Sequence, residues 1–262
     1  MTLITLTTDF GLADSYVAVM KGVILGIAPQ ARIIDITHYI APQNVRQAAI
    51  VLQAAAPYFP PQTIHVAVVD PGVGSARRPI AVRTSQAIFI GPDNGLFSTV
   101  LTEAHTDSMA VLHLDNKDYW LPTVSRTFHG RDIFSPVAAH LAAGAPFESV
   151  GTPITDPVII AMSQPGKLDN GDVHGEVVYV DGFGNLISDI PEAWLAGRQW
   201  VLSCAGQEIL GPSLSYASAQ PGQLLALISS NGTLEIAVRD GSAAALLRTR
   251  PGEPIAARLS HD

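Results

Sequence analysis

Thr63-Ile-His-Val-Ala-Val-Val-Asp70-Pro-Gly-Val-Gly-Ser-Ala-Arg77-Arg78 is the stretch that decides the fold of this 262-residue chain. Its first seven residues are mostly apolar and β-branched, which reads as a buried strand. The run ends on a carboxylate, Asp70, turns through Pro71, Gly72 and Gly74, and delivers two guanidinium groups. In α/β proteins ligands sit in the crevice beyond the carboxyl ends of the strands, so a charged pair at a Gly-rich strand end is a site candidate. The same pattern also fits a solvated turn with a surface ion pair of little energetic weight.

The flanking sequence sets this strand in an alternating pattern. Leu3 to Thr8 reads as a first strand, and Tyr16 to Ile27 as a helix with Val19, Met20, Val23, Ile24 and Ile27 at helical spacing. Pro29 closes it, because the residue before a proline is pushed out of the helical region. Arg32 to Thr37 reads as a strand, Val45 to Ala56 as a helix stopped by Pro57, and Thr63 to Val69 as the third strand. Pro79 to Arg83 and Ala87 to Ile90 are short strands, the second leading into the turn Gly91-Pro-Asp-Asn-Gly95. Leu96 to Glu103 is predicted helical, Met109 to Leu114 extended, and Asp132 to Ala143 an Ala-rich helix ended by Gly144. The alternation predicts an α/β domain with a largely parallel sheet covered on both faces.

From Ala145 to Asp172, prolines at 146, 153, 157 and 165 break the pattern, which reads as a linker with one short strand at Val158 to Met162. Short strands follow at Gly175 to Val180, Asn185 to Ser188, Trp200 to Ser203, Leu224 to Ser229, Thr233 to Val238 and Ile255 to Leu259. Turns such as Asp181-Gly182, Asn231-Gly232 and Asp240-Gly241 separate them. The expectation is two domains: an α/β domain over 1–160, and a smaller, all-β, barrel-like and mostly antiparallel domain over 161–262.

Composition limits the partners. Hydrophobic residues make up 47% of the chain and charged residues 15%, the profile of a folded globular protein. A low charge fraction with positive mean hydropathy also hints at buried subunit interfaces. A net charge of -8 with no Lys/Arg run longer than two residues argues against a nucleic-acid partner. Cys204 is alone, which excludes a disulfide framework and a Cys-based metal knuckle. The N-terminal sequence has no basic region before its apolar residues, and no apolar run approaches the roughly 18 residues of a membrane span. A soluble cytoplasmic protein without a membrane partner is expected.

Several clusters carry chemical potential. Asp9, before Phe10-Gly11 at a strand end, can hold a ribose diol or cap the helix that follows. Asp70 and Arg77 flank the glycine turn, and Thr127-Phe-His-Gly-Arg-Asp132 puts His129 at a loop-to-helix junction. Asp, Arg and His from separate strand ends can bind and polarise a water. No serine lies in a Gly-x-Ser-x-Gly elbow, and the glycines after Asp70 match neither a Walker nor a dinucleotide fingerprint. His38, His65, His105, His113, His140, His174 and His261 are scattered. A metal site is the weaker reading, with Asp9, Asp70 and His129 as its ligands. Asp181-Gly-Phe-Gly-Asn185 is either a plain turn or a purine cradle with Phe183 stacking and Asn185 on the base edge. Ser229-Ser-Asn-Gly232 is a turn or a receptor for a carboxylate.

Taken together, Thr8-Asp-Phe-Gly11, Asp70-Pro-Gly-Val-Gly74 with Arg77, Gly91-Pro-Asp-Asn-Gly95, Phe128-His-Gly-Arg-Asp-Ile-Phe134, Phe183-Gly-Asn185 and Ser229-Ser-Asn-Gly232 resemble one family. It is that of the S-adenosylmethionine hydroxide adenosyltransferases, relatives of the fluorinase-type 5′-halogenases. The resemblance implies an α/β domain, a C-terminal β-barrel, and a homotrimer with sites between neighbouring subunits. It also implies attack of water or hydroxide on C5′ of S-adenosyl-L-methionine, giving adenosine and L-methionine without a cofactor or metal. The family's catalytic Asp-Arg-His set falls on Asp70, Arg77 and His129. Its substrate contacts fall on Asp9 for the ribose, and on Asp14 and Asp181 for the ammonium. Phe183 and Asn185 match the adenine contacts, Ser230 with Asn231 the carboxylate contact, and Asn94 a further substrate contact. The halogenases carry Tyr in place of Asp70, Thr or Gly in place of Val73, and Ser near Gly130, with an insertion for which the Arg83 to Ala87 connection leaves no room. A carboxylate at Asp70 repels a halide, so the departure points towards water. Two other readings use the same residues: a metal-dependent nucleoside or phosphoester hydrolase, and a non-catalytic adenosine- or S-adenosylmethionine-binding module.

Overall fold

The computed structural model describes residues 2–103 and 109–260, so His105 and His261 lie outside the described residues. The chain forms two compact units, Met1–Met162 and Ser163–Asp262.

In the first unit the elements run β1 (Leu3–Thr8), α1 (Tyr16–Ile27), β2 (Arg32–Thr37), α2 (Val45–Ala55), β3 (Thr63–Val68), β4 (Pro79–Arg83), β5 (Ala87–Pro92), α3 (Ser98–Glu103), β6 (Ala110–His113), α4 (Ser135–Ala142) and β7 (Thr152–Pro153). The described strands form one seven-stranded sheet in the order β2-β1-β3-β5-β4-β6-β7. Every residue of β3 is buried, as its uninterrupted apolar composition requires of a central strand covered on both faces. Leu6, Val66 and Val68 pack with Met20 and Ile24 of α1 and Val137 and Ala138 of α4 on one face. Ala67 and Val69 pack with Ala48 and Leu52 of α2 on the other.

The sheet is mixed, which corrects the expectation of a largely parallel one. β2, β1, β3 and β5 run parallel to one another, but β4 lies antiparallel between β5 and β6, and β7 is antiparallel to β6. The cause is the connection from Arg83 to Ala87, too short for the dozen or more residues of a parallel crossover and sufficient for a hairpin. Two further expectations differ. Val158 to Met162 is no strand: it is a tether whose amides bond to side chains, Val158 N to Asp93 Oδ1 at 2.7 Å and Ile160 N to Ser98 Oγ at 2.9 Å. The helix foreseen from Asp132 begins instead with a π-helical turn over Gly130–Phe134, and α4 follows it.

The second unit contains β8 (Gly166–Lys167), β9 (Val173–Val180), β10 (Leu186–Pro191), β11 (Trp200–Cys204), β12 (Gln207–Gly211), β13 (Leu224–Ile228), β14 (Thr233–Val238), α5 (Ala243–Leu247) and β15 (Pro254–Leu259). Its sheet is antiparallel, in the order β12-β11-β15-β9-β10-β14-β13, with β8 added on β9. The terminal strands β12 and β13 pack on each other and nearly close a barrel around Trp200, Leu202, Leu234 and Ile236. Among the described residues no helix is long and apolar enough to cross a membrane.

Candidate active site

The Gly-rich turn after β3 folds its two ends together. Val73 N donates to Asp70 O at 3.2 Å, and Ser75 donates from both N and Oγ to Gly72 O at 3.1 and 2.6 Å. Gly74 has φ 75°, and a Cβ there would lie 2.3 Å from the Arg126 carbonyl oxygen. Only glycine permits both the left-handed backbone and this close approach. The approach sets the Asp70 turn against the loop that carries His129.

Arg77 returns along the turn and grips Asp70. Its Nε donates to Oδ1 and Oδ2 at 2.9 and 3.0 Å, and Nη2 also bonds Oδ2. Nη2 further contacts His129 Nδ1 at 2.8 Å. A guanidinium only donates, so Nδ1 accepts, and the neutral ring carries its proton on Nε2. The Arg77 and Asp70 side chains are only 8% and 6% exposed, and Arg77 Nη1 has no hydrogen-bond partner among the described residues. Burying such a pair costs several kcal/mol per ion and adds little net stability. The solvated surface pair of the bland reading is therefore not what the chain builds. Desolvation, and then the Arg77 charge, hold the His129 pKa below the usual 6.5, against the opposing pull of Asp70, the Ser125 backbone and Asp132. Arg78 points elsewhere, to Asp93 at 2.7 Å and Asp156 at 2.8 Å.

Asp70 and His129 open onto a cavity of about 430 Å³, within the size range of small-molecule sites. Asp9 lines it too, fixed by the amide of Gln43 at 2.8 Å. Buried His38 braces that strand end: its Nδ1 meets Thr8 Oγ1 at 2.9 Å, and its carbonyl accepts from Gly11 N at 2.7 Å. One wall is aromatic. Phe10, Tyr16 and Phe128 pack at centroid distances of 5.7, 5.9 and 5.2 Å and all line the cavity. Sequence reasoning missed these rings, although Phe10 and Phe128 sit beside Asp9 and His129 in motifs it had singled out. Asp14 is exposed in the loop after β1 and is not among the lining residues. Asn94 bonds Val69 O at 2.9 Å through Nδ2 and Leu96 N at 3.2 Å through Oδ1, so its amide serves the β3 end.

In the second unit Phe183 and Asn185 line a separate cavity of about 580 Å³ with Tyr216, Arg239, Asp240 and Gly241. Phe183 is 83% exposed and free to stack. Asp181 closes the turn beneath it: Oδ1 accepts from Phe183 N and Asn185 N, each at 2.9 Å, and Oδ2 from Asn185 Nδ2 at 3.0 Å. Tyr216 donates to buried Glu235 at 2.7 Å, and burial with this partner pushes the phenol up to about 12. No motif in the sequence marks Tyr216 or Arg239. Ser230 and Asn231 form the exposed tip between β13 and β14, outside that cavity's lining. Among the described residues no group of three or more His, Cys, Asp and Glu side chains is placed to hold a metal ion. The weaker metal reading at Asp9, Asp70 and His129 thus finds no assembled ligand set.

Residues 4–151 match the family described as the SAM hydroxide adenosyltransferase N-terminal domain, and residues 175–256 match its C-terminal domain. An (R)-S-adenosyl-L-methionine hydrolase of Salinispora arenicola is 41% identical over 96% of this chain and 96% of its own. A fluorinase of Actinoplanes is more distant, 29% identical over 72% of this chain and 71% of its own. The crystal structure of an uncharacterized conserved protein from Thermotoga maritima superposes with a TM-score of 0.90 at 38% identity, covering 97% of this chain and 99% of that one.

Proposed function

The chain belongs to the SAM hydroxide adenosyltransferase family, and from that premise we propose that it is an S-adenosyl-L-methionine hydrolase. Water or hydroxide attacks C5′, the C5′–S bond breaks with its electron pair passing to sulfur, and adenosine and L-methionine leave. The observation that carries this reading is the buried Asp70–Arg77 pair bonded to His129, with Asp70 and His129 on the wall of a cavity at a strand end. The substrate named in the 41%-identical relative is the (R) epimer at sulfur, and the same epimer preference is proposed here.

A sulfonium departs as a neutral thioether, so the leaving group needs no acid. The protein has to supply a held nucleophile in line with the C5′–S bond, and such positioning alone can lower a barrier by about 7–11 kcal/mol. Free water, with a pKa of about 15.7, offers little hydroxide at neutral pH. Asp70 and His129 hold the water: Asp70 accepts one of its hydrogens and receives the proton released as the new C–O bond forms. Arg77 fixes the two relative to each other and is not itself in the cavity lining. Oppositely charged hydroxide and sulfonium neutralise each other along the reaction, which favours a poorly solvated site. The aromatic wall and Val68 provide such surroundings.

Asp9 takes the ribose hydroxyls, while Phe183 stacks on adenine and Asn185 reads its edge. Asp181 supports that base pocket through the turn it closes. Asp14, with the Ser230–Asn231 tip, receives the amino-acid end, as the family resemblance implies; Asn94, a substrate contact by the same resemblance, also steadies the β3 terminus through Val69 O and Leu96 N. The active species is proposed to be a cytoplasmic homotrimer, testable by sedimentation as a particle of three 27.6 kDa chains. Incubation of the purified protein with (R)- and (S)-S-adenosyl-L-methionine, followed by chromatography, tests the function. Equimolar adenosine and methionine in the presence of EDTA support it; tightly held but unchanged substrate contradicts it.

A further inference from the structure

The loop that presents His129 is held by a carboxylate that does not line the cavity. Asp132 is fully buried. It lies in the first turn of the π-helical segment Gly130–Phe134, whose N-cap residue, His129, makes no side-chain capping bond. The Asp132 carboxylate instead reaches back to Ser125, accepting from its backbone N at 2.8 Å and from its Oγ at 2.7 Å. Ser125 Oγ in turn accepts from Phe128 N at 3.0 Å. The remaining capacity of Asp132 is met by Arg131, whose Nε donates to Oδ1 at 2.6 Å and Nη2 to Oδ2 at 3.1 Å. Burial pushes the Asp132 carboxyl up, but the bonds from Arg131 and Ser125 outweigh it and hold it below the usual carboxylate range.

Ser125 also fixes the chain that leads into the reacting end of the network. Its Oγ holds the amide of Phe128, the residue before His129, and Asp132 N itself bonds Phe128 O at 3.1 Å. With Nδ1 accepting from Arg77, Nε2 carries the proton and is left for the water. The backbone that aims the ring is therefore set by Asp132, from Ser125 to Phe128.

Resting on the function proposed above, we propose that Asp132 is a positioning residue for hydrolysis, acting through Ser125 and Phe128 to fix the orientation of His129. A carboxylate is required because four donors from two residues converge on it, and an apolar side chain of equal volume would leave them unpaired. The charged groups facing His129 are Asp70, Arg77 and Asp132, with Arg131 paired to Asp132.

The test uses the full-length protein with Asp132→Asn, Ser125→Ala and Ser125→Thr. Asp132→Asn is expected to lower kcat by about 10–100-fold with KM within about threefold, as for loss of alignment rather than of binding. In the same variant the His129 imidazole, followed by 15N NMR without substrate, is expected to titrate at lower pH than in the parent, because a nearby negative charge is gone. Ser125→Ala is expected to share the kcat loss and Ser125→Thr to restore it. Wild-type kcat together with an unmoved His129 titration in folded Asp132→Asn overturns the proposal. If that variant does not fold, equal kcat values for Ser125→Ala and Ser125→Thr overturn it. If the parent itself does not hydrolyse S-adenosyl-L-methionine, the functional reading fails, and the substrate-free titration still decides the role of Asp132.

Discussion

Asp70 and Arg77 form a buried pair that neither residue tolerates losing alone. Arg77→Met leaves a carboxylate in the interior without its counter-charge, and a loss of about 3–5 kcal/mol in urea unfolding is expected. The double variant Asp70→Asn/Arg77→Met is expected to recover part of that loss, because no lone charge remains. In catalysis, Asp70→Asn is expected to reduce kcat by about 10²–10⁴-fold with little change in KM; lost affinity at unchanged kcat contradicts the role given to Asp70. His129 adds a pH signature. With its pKa held below 6.5, the ring is mostly neutral at pH 7, and the acid limb of activity is expected to be centred below 6.5. An acid limb centred above 6.5 contradicts that environment. The Asp-Arg-His set could be singled out because Asp70 and His129 sit close to glycines at a strand end and a helix start, and Arg77 follows the same turn as Asp70. Its neighbours were less legible. Asp181 and Asn94 are equally polar and equally close to glycines, yet their side chains bond their own turns and the β3 end, a direction set by backbone dihedrals that residue identity does not reveal.

At the scale of elements, β3 carries a second consequence of its burial. His65 is enclosed within it, bonded to Thr5 Oγ1 at 2.8 Å and stacked on Phe89 at 5.0 Å, and desolvation lowers its pKa to about 4. The unfolded chain binds this proton below pH 6.5 and the folded chain only near 4, so the contribution is intact above 6.5 and lost as pH falls from 6.5 towards 4. The loss amounts to about 3 kcal/mol. The double variant His65→Phe/Thr5→Val is expected to flatten that part of the stability curve in denaturant titrations at pH 7 and 5. Gly74→Ala tests the turn. Left-handed strain and the clash with Arg126 O are expected to cost at least about 1–3 kcal/mol and to lower kcat, because the clash pushes the Asp70 turn from the His129 loop. Strand β3 and helices α1 and α2 were readable from periodicity. The direction of β4 was not, because it follows from the length of one connection. The π-helical turn before α4 was hidden too, since one such turn adds a residue without altering the apolar pattern around it.

For the whole molecule, the two units read correctly as an α/β unit and an antiparallel β unit, because the texture of the chain changes between Ala145 and Asp172. What texture could not supply was the mixed direction of the first sheet, or β12 and α5, which are short and flanked by glycines. The net charge of -8 has a kinetic consequence for a sulfonium substrate. Long-range attraction raises the encounter rate and is screened by salt, so kcat/KM is expected to decline as ionic strength rises while kcat stays level. The most direct test of the central claim, displacement at C5′ by an oxygen held at Asp70 and His129, is hydrolysis in H₂¹⁸O followed by mass spectrometry of both products. The account predicts one ¹⁸O in the 5′-hydroxyl of adenosine and none in methionine, with the rate of labelling collapsing in Asp70→Asn. Label in the amino-acid product, or labelled adenosine formed at the parent rate by Asp70→Asn, would contradict it.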